Sequence, residues 1–202
     1  MGHVNLPTRK ALRDPVMATR LTLICHARTL AQKLARFPLD EPVELDWQAA
    51  GHSLANRFKP SVQLISAPET RARQTAHLFG SQMNIVPELR DCDFGCWQGK
   101  RIKDLQAHEP KALQDWSADS TSAVHGGESV AEVCTRVGAW LDTLRTPGHW
   151  VAITHPFVIR AAILHALQCP PAAFNAIDIE PLSATELRFN GRWRLRMQEG
   201  FL

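Results

Sequence analysis

The chain has 202 residues, 45% of them hydrophobic and 21% charged, and a formal net charge of +3. Those figures fit one globular domain with a sizeable core, and the charge is too mild to argue for a nucleic-acid binder. No apolar run approaches the roughly 18 residues of a membrane span, and Met1 to Arg20 lacks a secretory apolar stretch, so residues 1–19 are expected to form a loose extension before a single domain over 20–202. Cysteines at 25, 92, 96, 134 and 169 are odd in number and scattered, the pattern of reduced thiols in a cytoplasmic protein rather than a disulfide framework.

A β-prone run over 20–25 ends abruptly at Cys25-His26. A Pro-bearing loop, Phe37 to Pro42, precedes a helix expected over 45–58, where Trp47, Ala50, Leu54 and Phe58 fall near helical spacing. A strand over 62–66 meets Pro68, a good first residue for a helix reaching about 79. A short strand at 84–86 opens a long loop, Asp91 to Gly99, followed by small helices across 102–117. Val130, Val133, Val137, Trp140, Leu141 and Leu144 form the apolar stripe of a helix over 128–145. A strand over 150–154 ends at His155, a helix follows over 157–167, and Asn190-Gly191 joins a hairpin of 184–189 and 192–198. Alternating strands and helices predict an α/β fold: a three-layer α/β/α sandwich with a mainly parallel sheet and a C-terminal antiparallel hairpin.

Two strands that each end on a histidine point to one site, because ligands in open α/β sheets sit beyond the carboxyl ends of the strands. Arg71, early in the helix after a third strand, and Asp91, at the start of the long loop, are candidates to join His26 and His155 there. These residue types suit phosphoryl transfer. A neutral imidazole can carry a phosphoryl group, arginine and a second histidine can hold its oxygens, and a carboxylic acid can protonate the leaving alkoxide. A metal site on His26, His155 and Asp91 is the competing use of the same side chains, but no local ligand spacing supports it.

With those blocks assembled, the chain resembles the histidine phosphatase superfamily, also called phosphoglycerate mutase-like, from about Arg20 to Arg196. The family's Arg-His-Gly-x-Thr strand end reads Cys25-His26-Ala27-Arg28-Thr29. Its Ser-x-x-x-x-Arg-Ala-x-x-Thr block is matched by Ser66, Arg71, Ala72 and Thr75. Leu89, Asp91, Gly95, Trp97 and Gly99 follow its acid-donor block, Gly126 to Ser129 its Gly-Gly-Glu-Ser helix start, and Thr154, His155 and Arg160 its closing block. The resemblance implies a nucleophilic His26, phosphate binding by Arg71 and His155, and Asp91 in the place of the acid/base glutamate. It implies no cofactor and no metal. The partner would be a small phosphorylated substrate, with no nucleic acid or membrane involved; oligomeric state is not legible.

Cys25 departs from the pattern where the family has a phosphate-clamping arginine. Losing one such donor costs about 2.7–4 kcal/mol of transition-state stabilisation, roughly a hundred- to thousandfold in rate. Arg28 and Thr29, just downstream, are candidates to bind phosphate, and Arg28 is the candidate to compensate. The expectation is therefore weakened phosphomonoester hydrolysis, ahead of a non-catalytic phospho-ligand binder and of a mutase. A cysteine phosphatase would need an arginine six residues after its cysteine, and Ala31 stands six after Cys25. Glu88, Asp93 and Glu128 are fallback proton donors.

Overall fold

A computed structural model describes residues 18–59 and 61–197, so the expected N-terminal extension lies almost wholly outside the described residues, as does residue 198 of the expected last strand. The strands are β1 (Thr19–Cys25), β2 (Gln63–Ser66), β3 (Asn84–Ile85), β4 (Gly148–Thr154), β5 (Ala184–Phe189) and β6 (Trp193–Arg196). The helices are α1 (Leu30–Lys33), α2 (Gln48–Ala55), α3 (Thr70–Ala76), α4 (Ile102–His108), α5 (Pro110–Ala118), α6 (Val130–Thr143) and α7 (Pro156–Leu167), with short 3-10 segments at 87–89, 95–97 and 171–176.

The strands form one sheet in the order β3-β2-β4-β1-β5-β6. The first four run parallel; β5 pairs antiparallel with β1, and β6 with β5. Leu21, Leu23, Ile24 and Cys25 of β1 and Val151, Ala152 and Ile153 of β4 are all fully buried. Side chains alternate faces along a strand, so burial without alternation means that both faces of the sheet centre are covered, as the expected three layers require. The stripe of α6 is buried at Val130, Val133, Val137, Trp140 and Leu141. Its start is fixed by a capping box: Glu132 N–H donates to Ser129 Oγ, and the Glu132 carboxylate accepts from Ser129 N–H at 2.8 Å.

Three helices are shorter than their sequence pattern predicts, and the ends have a common cause. Phe58, Phe79 and Leu144 donate their N–H groups to the carbonyls three residues back, at Ala55, Ala76 and Leu141. That tightens each last turn and ends the α-helix before the apolar periodicity ends. At its start, α3 begins after Glu69, whose extended backbone makes it the cap, so Pro68 precedes the helix instead of opening it. The four-residue α1 lies between the expected first strand and the loop at 37–42, where the sequence pattern predicts no element.

The topology sets the site. β1 and β4 are neighbours in a register that places Cys25 beside Thr154. Each is followed immediately by histidine, and His26 N–H donates to Thr154 O at 2.9 Å. Ala67 N–H donates to Ile153 O at 2.9 Å, which brings the exit of β2 to the same edge.

Candidate active site

His26 is 3% exposed and His155 fully buried, with ring centres 5.2 Å apart. Nδ1 of His26 lies 2.7 Å from the Ala27 carbonyl. A carbonyl only accepts, so Nδ1 carries the proton and Nε2 keeps its lone pair. Ala27 is itself held, its N–H donating to Thr75 Oγ1 at 3.0 Å. Burial first, then the nearby charges of His155 and Arg71, pulls the His26 pKa down to about 3. The ring is therefore neutral, with one nitrogen free.

Arg71 is 2% exposed. Its guanidinium donates to Leu39 O at 2.9 Å and to Asp91 Oδ2 at 2.6 Å, while its buried Nε has no partner. Asp91 Oδ2 also lies 3.5 Å from His155 Nδ1. Burial alone would raise the Asp91 pKa, but the charges of His155 and Arg71, with a smaller contribution from His26, outweigh it and hold the carboxyl below its ordinary range. Nε2 of His155 lies 2.7 Å from Glu69 Oε2, and Glu69 Oε1 accepts the Asp91 N–H at 3.0 Å. Glu69, which the sequence did not single out, thus joins His155 to Asp91. Burial works against its ionisation, but the bond and charge of His155 together with backbone N–H bonds, that of Asp91 among them, outweigh it, so its pKa is lowered.

The loop that carries Asp91 is braced from α6. Arg136 donates to both carboxylate oxygens of Glu128, at 2.7 and 2.8 Å, and to the carbonyls of Glu88 and Arg90 at 2.6 and 3.1 Å. Glu128 is therefore committed to Arg136 and is not a spare proton donor. Gly127 allows the close approach: a Cβ there would stand 2.1 Å from the Asp93 carbonyl oxygen. His125 is buried among Phe94, Trp97 and Trp116.

His26, Arg71, Asp91 and Thr29 line one pocket of about 150 Å³, and His155 backs it through Asp91 and His26. Arg28 is not among its lining residues. It is exposed and lines a separate surface depression with Glu44, Asp46 and Glu180. Two arginines that the sequence reading did not assign to the site, Arg36 and Arg160, line the pocket instead. Cys25 is fully buried, and burial, with the Asp91 charge adding to it, drives its thiol pKa well above the ordinary value. It stays protonated and is no thiolate nucleophile. Among the described residues, no three His, Cys, Asp or Glu side chains are arranged to hold a metal ion, and no helix is long and apolar enough to cross a membrane.

A sequence profile of the histidine phosphatase superfamily, branch 1, matches residues 21–198. The chain belongs to this superfamily. The histidine phosphatase fold recurs in solved relatives: a mycobacterial glucosyl-3-phosphoglycerate phosphatase in complex with VO3 superposes with a TM-score of 0.75 at 26% identity, covering 88% of this chain and 96% of that one. A phosphoserine phosphatase mutant from Entamoeba histolytica shares the fold alone, with a TM-score of 0.79 at 19% identity, covering 89% of this chain and 95% of that one. By sequence, the adenosylcobalamin/alpha-ribazole phosphatase of Salmonella typhimurium is 27% identical over 87% of this chain and 98% of its own length. A glucosyl-3-phosphoglycerate phosphatase of Mycobacterium tuberculosis is 35% identical over 59% of this chain and 57% of its own. These histidine phosphatase relatives carry phosphatase names, and those named by substrate act on small phosphorylated compounds.

Proposed function

We propose that the chain hydrolyses phosphomonoesters through a phosphohistidine on His26, without a metal, and more slowly than a relative that keeps the arginine displaced by Cys25. The observation that carries this reading is the Nδ1–H bond from His26 to Ala27, which leaves Nε2 of a neutral ring free in the same pocket as a buried arginine.

In the first step His26 Nε2 attacks phosphorus. The P–O bond to the leaving group breaks, Arg71 holds a phosphoryl oxygen, and the Asp91 carboxyl gives its proton to the departing alkoxide. Asp91 is ionised while it is paired with Arg71, so it has to gain that proton when substrate binds. A phosphate that engages Arg71 takes away the charge that stabilises the carboxylate and adds negative charge beside it. Both changes raise the Asp91 pKa. In the second step Asp91 takes a proton from water, water attacks the phosphohistidine, and the N–P bond breaks to release inorganic phosphate.

Phosphate release from a panel of phosphomonoesters, run on the native chain and on His26→Ala, tests the reading. Turnover in the native chain that disappears in His26→Ala supports it. Turnover that survives the substitution overturns the mechanism. No turnover with retained anion binding identifies a phospho-ligand binder, for which the Asp91–Arg71 pair and the missing arginine are the motive.

A further inference from the structure

The steps on His26 and Asp91 leave one contact of the site without a use, the 2.7 Å bond between Glu69 Oε2 and His155 Nε2. Position 69 is an unspecified place in the family's Ser-x-x-x-x-Arg-Ala block, so the family pattern does not call for it. Glu69 is fixed where the chain enters α3. Its carbonyl accepts the N–H groups of Ala72 and Arg73, both at 3.1 Å, and its second carboxylate oxygen accepts the Asp91 N–H. Glu69 is held ionised, and a carboxylate only accepts, so Nε2 of His155 carries a proton. The other ring nitrogen, Nδ1, is buried without a hydrogen-bond partner and lies 3.5 Å from Asp91 Oδ2. Without a proton it would turn a lone pair toward a carboxylate in a fully buried place, acceptor against acceptor. A proton on Nδ1 removes that conflict and makes the ring a cation between two carboxylates. The charged and titratable groups set against it are Glu69, Asp91, Arg71 and His26. With His26 neutral, two cations, His155 and Arg71, meet two anions.

We propose that Glu69 is a positioning residue that keeps His155 a cation, its Nδ1–H available to the phosphoryl group, through the step in which Asp91 loses its negative charge. The inference rests on the reading of His26 as nucleophile and Asp91 as acid. When Asp91 takes up the proton that an acid needs, one of the two carboxylates beside the ring is neutralised. Glu69 then balances the ring charge in its place. Cys25 removes one fixed cation, so Arg71 and His155 remain of the phosphate-binding groups that the resemblance implies. Of those two, His155 is the one that deprotonation can switch off.

The probe is inorganic phosphate. Long-range proton–nitrogen NMR correlations of the isotope-labelled rings read the protons on His155 directly, its signals identified by their loss in His155→Gln. The expected result at pH 7 is a proton on both ring nitrogens, before and after phosphate binds. A native ring with a single proton in the phosphate complex overturns the inference. That measurement needs no turnover, so it judges Glu69 even if His26 proves not to be a nucleophile. Glu69→Gln keeps an acceptor for Nε2 but no charge. There the phosphate-bound ring should lose its second proton, and phosphate affinity by calorimetry should fall about tenfold to a hundredfold, the range of one hydrogen bond to a charged group. On p-nitrophenyl phosphate the alkaline limb of the kcat/KM profile should move about one pH unit lower. A profile of unchanged shape with only a lower rate gives Glu69 a merely structural role and overturns the inference, as does an unchanged phosphate affinity.

Discussion

His26→Asn separates the cost of burying the imidazole from its chemistry. Asparagine can still donate to the Ala27 carbonyl but cannot take up a proton. The native ring titrates at 6.5 when unfolded and at about 3 when folded. Between those values the unfolded chain binds the extra proton, so stability is full above pH 6.5 and is lost as pH falls toward 3. At 1.36 kcal/mol per pH unit the whole effect is about 5 kcal/mol, and the part that falls between pH 7 and pH 4 is about 3 kcal/mol. Urea unfolding followed by tryptophan fluorescence at pH 7, 5.5 and 4 measures it. The stability of His26→Asn relative to native should improve by about 3 kcal/mol on going from pH 7 to pH 4, while phosphate release falls to background. Parallel pH profiles for the two proteins would refute the argument that His26 is held neutral by its surroundings.

Asp91→Asn removes the proton donor and leaves the Arg71 charge buried, so stability should fall by about 3–5 kcal/mol in urea unfolding. Its turnover of alkyl phosphates should fall by about 10²–10⁴, with a smaller loss on p-nitrophenyl phosphate, whose leaving group needs little protonation. Cys25→Arg should raise the kcat of phosphate release by about a hundredfold, while lowering the melting temperature because a charge enters a fully buried position. Gly127→Ala forces a Cβ against the Asp93 carbonyl and should cost about 1–3 kcal/mol, with a loss of kcat because the loop that carries Asp91 must shift.

The two histidines and Arg71 were legible because each follows a strand by a fixed few residues, and strand ends can be read from apolar runs. Asp91 was legible as a loop carboxylate, but its pairing with Arg71 was not, nor was the bond between Glu69 and His155, which are 86 residues apart. A contact over that separation leaves no local pattern. Arg36 was missed because the four-residue α1 before it is too short to show a period. Arg28 was chosen for its nearness to His26 in sequence, yet it is exposed and lines another depression, while its carbonyl accepts the Glu44 N–H at 2.9 Å. Cys25 is a small, fully buried strand residue.

The short bond from the His26 ring to its neighbour's carbonyl also decides regiochemistry. An imidazole can be phosphorylated at either nitrogen, giving two isomers with different acid lability and different phosphorus resonances. Here one nitrogen is occupied by its own proton and the Ala27 oxygen at 2.7 Å. A protein trapped in mid-reaction would therefore carry a single isomer, the one modified at Nε2. A mixture of the two would mean that the ring had turned over before it reacted.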